Sequence, residues 1–225
     1  DPLAFKICIE EAEKADLKIV LVINTHEHFD HIGGNEPIIN HTGAKLYAHL
    51  NAVHKIPNVD VGLKAGDTIK LGKSIDIEVL DTPGHTMSHI CLLIRGDTDA
   101  LFCGDTLFNA GVGNCHNGGD PESLYDTFYN QLINLNKKTN IYPGHDYLEN
   151  NLKFTLSLEP ENIAAKVLLS ETKKDDFSIK YVSTLEKEFK INTFFRLKER
   201  SIIESLEARN LLLEDKSPKE IFLAL

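Results

Sequence analysis

The feature that most limits how this chain can fold is the stretch NTHEHFDHIGGN, Asn24 to Asn35, which sets His26, His28, Asp30 and His31 within six residues just after the apolar run IVLVI. On a regular helix, steps of two, two and one residues would spread these side chains around more than half of the circumference, so they could not converge. Fanned out from a loop beyond the carboxyl end of a strand, they can. The fold must therefore supply a buried strand over KIVLVIN, a loop after it, and a sharp turn at Gly33-Gly34. Imidazole nitrogen and carboxylate oxygen are donors that divalent first-row metals accept, and four of them so close together point to a metal site rather than to a histidine-rich surface loop.

The rest of the chain reads as α/β. Phe5, Ile9, Ala12 and Ala15 recur at helical spacing ahead of KIVLVIN. KLYAH, DTIKL, SIDIEVL, HICLLI and DALFCG read as strands punctuated by AG, LGK, TPG and RGD. In SIDIEVL, Ile75, Ile77 and Val79 alternate with Asp76 and Glu78, which turns one face inward. Asp120-Pro121 opens a helix over PESLYDTFYNQLINL, with Leu124, Phe128, Leu132 and Leu135 on one stripe. Beyond NIYPGHD the character is helical to the end: Ile179, Val182, Leu185 and Phe189 form a further stripe, and Ser217-Pro218-Lys219-Glu220 reads as a capping box. The expected division is an α/β unit over 1–150 and an all-helical unit over 151–225, with the boundary between Tyr147 and Asn151.

Composition removes several classes. A net charge of -10 argues against a nucleic-acid surface, which draws its affinity from clustered Lys and Arg. No apolar run approaches the ~20 residues that cross a bilayer, and no basic segment precedes an apolar core as in an export signal. Cys8, Cys91, Cys103 and Cys115 show no close pairing, so the thiols are expected to be reduced and the compartment cytoplasmic. The single methionine is Met87, so Asp1 is not an initiator, and the last helical pattern breaks off at Leu225. A segment of a longer protein is expected.

Four motifs, in order, carry a family resemblance. THEHFDHIGGN resembles the THxHxDHxGGN signature of the metallo-β-lactamase superfamily, in the form seen in the glyoxalase II (hydroxyacylglutathione hydrolase) family. LDTPGHTMSH with His85, FCGDTLFNAG with Asp105 and IYPGHDY with His145 follow, and NTFFRL, Asn192 to Leu197, resembles the C-terminal domain of that family. The resemblance implies an αββα sandwich with a C-terminal helical, substrate-binding domain, some N-terminal strands and the end of the final helix lying outside this chain. It also implies two divalent metal ions, zinc foremost, with iron or manganese compatible with the same donors. One would be held by His26, His28 and His85, the other by Asp30, His31 and His145, with Asp105 bridging, and Asp30 and Asp105 would also take part in catalysis. His85 and His145 each follow Pro-Gly after an apolar strand, and Asp105 follows Gly104 at the end of ALFCG, so all three sit at strand-to-loop exits.

Such a site suits thioester hydrolysis. Metal binding lowers the pKa of water from about 15.7 toward ~7, roughly 11 to 12 kcal/mol at ~1.36 per unit. A thiolate, with a thiol pKa near ~8.5, needs little help to leave. The implied reaction is cleavage of S-D-lactoylglutathione to D-lactate and glutathione by a metal-bridging hydroxide, a step of methylglyoxal detoxification. Tyr147 matches a position whose hydroxyl contacts glutathione. Asn114, Cys115 and His116 stand where the family carries a basic and then an aromatic residue, which leaves Asn114 and His116 as the local candidates for substrate contact. Arg196, Lys198 and Arg200 are the basic neighbours considered for the substrate carboxylates. Two other readings are a mononuclear iron persulfide dioxygenase of the same superfamily and a non-catalytic, metal-stabilised binding protein. His41, His49 and His54 are expected to be solvated or capping groups, and His89 a core group supporting the ligands. Cys115 and His116 are not read as a nucleophilic pair, because adjacency is not the geometry a thiolate and its base require. The sequence says nothing of oligomeric state.

Overall fold

In the computed structural model, which describes residues 1–173, 181–212 and 215–225, the apolar run becomes a short strand, β1 (Leu21–Ile23). It pairs in parallel with β2 (Lys45–His49), which pairs in parallel with β3 (Val61–Leu63). Parallel neighbours need a crossover. Here it is made by α2 (Phe29–Ile32) and α3 (Asn35–Thr42). Pro37 is tolerated in the first turn of α3 because the N–H it lacks has no partner there. Helix α1 (Phe5–Lys14) lies beside α3, and Phe5, Ile9 and Ile38 cover Val22, Leu46 and Ala48 on the outer face of this sheet.

The second sheet begins as an antiparallel meander of β4 (Thr68–Leu71), β5 (Ile75–Asp81), β6 (Ile90–Ile94) and β7 (Ala100–Gly104). Strand β10 (Asn140–Pro143) joins β7 in parallel, and β11 (Ser183–Thr184) closes the edge in antiparallel sense. A separate hairpin, β8 (Leu107–Phe108) with β9 (Gly111–Val112), lies between β7 and α4 (Pro121–Asn130) in the chain. The period of two along β6 serves both faces of the sheet. Ile90 and Leu92 meet Leu63, Ile69 and Val79 between the sheets, whereas Cys91 and Leu93 join Leu101, Leu124 and Phe128 beneath the helices. A strand covered on both sides reads as a continuous apolar run, as HICLLI does. The layers are helix, sheet, sheet, helix.

Three details depart from the sequence reading. Helix α4 stops at Asn130 and continues only as a 3-10 turn over Leu132–Asn134, although Leu132 stays buried. The tail holds α5 (Leu148–Leu158), α6 (Ile163–Glu171), α7 (Leu185–Ile191), α8 (Arg200–Ala208) and α9 (Pro218–Ala224), but it also returns β11 to the edge of the main sheet. Of the stripe expected from Ile179 to Phe189, Leu185 and Phe189 lie on α7, Val182 precedes it in the chain, and Ile179 falls outside the described residues. One apolar cluster joins Leu101 and Ile141 to Leu158, Leu185, Ile202 and Phe222, so the core continues across residue 150. No described helix is long and apolar enough to cross a membrane.

Candidate metal centre

Strands β5, β7 and β10 run in one direction, because β6 is antiparallel to both of its neighbours and β10 is parallel to β7. Their carboxyl ends therefore lead to His85, Asp105 and His145 at a single edge. The loop after β1 brings His26 and His28 to the same place, where Ile90 N donates to Thr25 O at 2.8 Å. The other half of the first cluster is not on an open loop. Asp30 and His31 sit on the single turn α2, which starts just after His28 and swings both back toward the sheet edge. The glycines after it do not make a left-handed turn either. A Cβ on Gly34 would lie 1.6 Å from Pro2 O, so glycine is needed there to let the Asp1-Pro2 segment pass.

The far nitrogens of His26, His28, His31 and His85 are tied to acceptors, and this fixes their tautomers. His85 Nδ1 donates to Asn114 O at 2.5 Å and His28 Nε2 donates to Asn117 O at 3.0 Å. Thr25 Oγ1 donates to Asp1 Oδ2, so it accepts from His26 Nδ1 at 3.0 Å. His31 Nδ1 donates to Asp1 Oδ2, also at 3.0 Å. Each ring is left with a bare nitrogen facing inward. His28 Nδ1 lies 3.1 Å from His26 Nε2 and 3.0 Å from His85 Nε2, and His31 Nε2 lies 3.2 Å from His145 Nε2. Lone pairs that face one another with no proton between them repel, and a shared cation relieves this.

Asp105 lies between the two groups. Its Oδ1 is 3.2 Å from His31 Nε2, and its Oδ2 is 3.6 Å from His85 Nε2 and 3.4 Å from His145 Nε2. Oδ1 is buried without a partner in hydrogen-bonding geometry. Asp30 Oδ2 stands 3.1 Å from His145 Nε2 at the half-exposed mouth. The donor atoms of His26, His28 and His85 lie within 4.8 Å of one another, as do those of Asp30, His31 and His145 and those of His26, His31 and Asp105. An orphaned buried carboxylate oxygen amid converging lone pairs fits a divalent pair. Burial, and then the surrounding histidines, hold His26 far below its ordinary pKa. Burial also lowers His85, despite Asp105 and the Asn114 carbonyl. Burial raises the Asp105 carboxyl, but His31, His145 and His85 outweigh it and the net shift is downward. These shifts favour neutral His26 and His85 rings and an ionised Asp105, the forms that bind a cation.

Two supporting groups, Asp1 and Glu27, escaped the sequence reading. The Asp1 carboxylate accepts from His31, from Thr25 N at 2.8 Å and from Thr25 Oγ1 at 2.7 Å. Its partners are more than twenty residues away, so no local pattern marks it. Glu27, between two of the histidines, accepts from Lys55 Nζ at 2.5 Å, Ser88 Oγ at 2.9 Å and Thr86 Oγ1 at 3.1 Å, pinning the first loop to the His85 loop. His89, anticipated as a supporting group, is fully buried. Its Nε2 accepts from Asp105 N at 3.1 Å, while Nδ1 faces the Thr82 and Thr106 hydroxyls.

A cavity of about 380 Å³ opens over this centre, lined by Phe29, Asp30, Phe108, Asn114, His145 and Tyr147 among others. Tyr147 is 45% exposed there and stacks on His145 at 5.3 Å. Asn114 touches His85 through its main-chain carbonyl, a contact any residue type could make, and His116 lines an adjoining pocket with Phe194 and Phe222. Burial pushes the Cys115 thiol up to about 11, away from thiolate chemistry. His49 takes the capping role among those expected of it: it is buried, accepts from Asn51 N at the start of the 3-10 turn Leu50–Ala52, and lies 3.5 Å from Asp81. The thiols also differ in burial, Cys8 being exposed and Cys91 and Cys103 buried. Arg196 is already engaged, donating to both oxygens of Glu159 at 2.8 Å, and Arg200 pairs with Glu204.

Fold and site together define the class, the metallo-beta-lactamase superfamily, whose profile matches residues 2–145. Residues 146–225 match the hydroxyacylglutathione hydrolase C-terminus. The chain belongs to the hydroxyacylglutathione hydrolase family: it is 54% identical to a hydroxyacylglutathione hydrolase of Nitrosococcus oceani, over 100% of this chain and 86% of that one. A cytoplasmic hydroxyacylglutathione hydrolase of Arabidopsis thaliana is 36% identical over 93% of this chain and 83% of its own length. Among solved structures, ETHE1 from Myxococcus xanthus superposes with a TM-score of 0.66 at 27% identity, covering 98% of this chain and 80% of that one. The BLEG-1 B3 metallo-beta-lactamase shares the fold, with a TM-score of 0.64 at 20% identity over 84% of this chain and 83% of its own.

Proposed function

We propose that this chain hydrolyses a hydroxyacyl thioester of glutathione, S-D-lactoylglutathione foremost, to D-lactate and glutathione. The observation that carries the reading is the ring of bare imidazole nitrogens around Asp105, on a chain with relatives of that name along its whole length. His26, His28 and His85 would hold one divalent ion, Asp30, His31 and His145 a second, and Asp105 faces both sets. When bound, such a pair supplies an acidified water and a Lewis acid for the thioester carbonyl. Zinc is the expected occupant, and the nitrogen and oxygen donors also admit iron and manganese.

The remaining work falls to side chains of the chain itself. Asp30, half exposed beside His145, would orient the attacking water and accept its proton. Phe108, Tyr147 and Asn114 line the cavity against which the substrate would lie. The departing thiolate needs little help from a general acid. A cytoplasmic setting is part of the same reading, supported by four free cysteines.

The test is hydrolysis of S-D-lactoylglutathione beside other glutathione thioesters, with metal analysis of the same sample. Turnover with about two metals per chain is expected, and His85→Ala and Asp105→Ala should each lower kcat by about 10²–10³-fold or more while far-UV circular dichroism stays native. Undiminished turnover in either variant, or in metal-free protein, would overturn the reading.

A further inference from the structure

The turn between β8 and β9 is held from outside the hairpin. Ala110 N donates to Glu188 Oε2 at 2.7 Å. Asn192 Nδ2 donates to Gly111 O at 3.0 Å and to the same Glu188 oxygen at 3.1 Å. Asn151 Nδ2 donates to Asn109 O at 2.9 Å. All three anchors come from the C-terminal helical region, α5 and α7 with its C-cap.

The turn does not hold this shape by its own preference. Ala110 has φ 57°, a conformation that costs any residue with a Cβ. Glu188 is itself fully buried, with Ser183 Oγ at 2.5 Å as a third donor, and burying a carboxylate is costly unless its bonds are needed. What the hairpin presents is a wall of the metal cavity. The Phe108 ring lies 6.0 Å from His145 and 5.2 Å from Tyr147, and the chain leaving β9 reaches the Asn114 carbonyl that orients His85.

We propose that Glu188 is a positioning residue for this reaction: by fixing the Ala110 amide it holds Phe108 against His145 and Tyr147, so that the helical region sets the wall on which substrate rests. The inference builds on the hydrolase reading but has a readout that does not depend on it. Glu188→Ala releases the turn. Glu188→Gln can keep it, since the amide oxygen accepts from Ala110 and Asn192 while the amide nitrogen donates to Ser183. Ser183→Ala removes a bond to the same carboxylate without touching the hairpin.

Hydrogen exchange over residues 108–112, referenced to β6, is measured on metal-loaded and metal-free protein, beside thioester kinetics and metal content. For Glu188→Ala the expected result is exchange about tenfold faster at the turn and a KM about tenfold higher, the worth of one hydrogen bond to a charged group, with kcat and metal content kept. Glu188→Gln restores both values, and Ser183→Ala changes neither. Asn151→Ala, which frees the same turn without leaving a buried carboxylate short of donors, gives the same KM rise and serves if Glu188→Ala does not fold. An unchanged KM on a freed turn, or an equal rise in Ser183→Ala, would overturn the proposal. Should the native protein hydrolyse no thioester, the functional reading falls, while the exchange rates still decide whether Glu188 holds the turn.

Discussion

At His26, His28, His31 and His85, what sits on the outer nitrogen decides what the inner one can do. Backbone carbonyls, Asp1 and, for His26, the Thr25 hydroxyl accept the hydrogen bond on the outside, so the lone pair is left for the centre. His89 extends this logic to the carboxylate, because its Nε2 holds the main chain of Asp105 in place. Replacing His89 by Phe leaves the Asp105 amide without its acceptor in a dry site, at about 1–3 kcal/mol, while the Thr82 and Thr106 hydroxyls keep main-chain acceptors. His89→Phe should therefore melt earlier in urea and bind metal about 10- to 100-fold more weakly by calorimetric titration. A native metal affinity would mean that His89 only fills space. Glu188 offers a test through pH. Burial pushes its carboxyl up to about 7 from an ordinary 4.5. Between those values the unfolded chain has released the proton that the folded chain keeps, so this group favours folding at acid pH and loses that contribution as pH rises through about 7. Glu188→Gln cannot titrate. Its stability relative to the native protein should grow from pH 5 to pH 8 in denaturant melts, and a constant difference would contradict the shift.

Elements meet at the site as closely as side chains do. Helix α4 abuts the turn that carries His85: a Cβ on Gly84, whose φ is 150°, would lie 2.5 Å from Leu124 Cα. The same turn gives its Gly84 carbonyl to Asp120 N at 2.8 Å, so the helix start and the ligand loop are one unit. Gly84→Ala has to push α4 away or displace His85, and overpacking of this kind costs about 3 kcal/mol. We expect that loss in chemical denaturation, together with lower metal occupancy at native pH. Full occupancy with native stability would show that the helix can yield without moving the ligand. Helix α2 makes a related point, because four residues suffice to turn Asp30 and His31 toward different neighbours than His26 and His28 reach.

Across the whole molecule, the helical region is built around its own charge pairs. Glu159 is only 4% exposed and both of its oxygens are taken by Arg196. Arg196→Met leaves that carboxylate buried without its partner, at about 3–5 kcal/mol. Chemical denaturation should register the loss while KM per folded molecule stays unchanged; a raised KM at native stability would return Arg196 to substrate binding. By itself the sequence determined what short-range chemistry writes: the apolar runs of β1, β6 and β7, the Asp120 cap of α4, and the histidines and aspartates at the strand exits, since residue type and strand-exit position are local. Short elements such as β3, α2 and β11 were not legible there, because a few residues hold their shape only through neighbours far along the chain. The tautomers, the link from Asp1 to His31, the pinning of Asp105 by His89 and the hold of Glu188 on Ala110 were decided by tertiary structure alone. Apart from the Thr25–His26 contact between neighbours, each joins residues sixteen or more apart, and a hydrogen bond depends on distance and angle, which only the folded backbone sets.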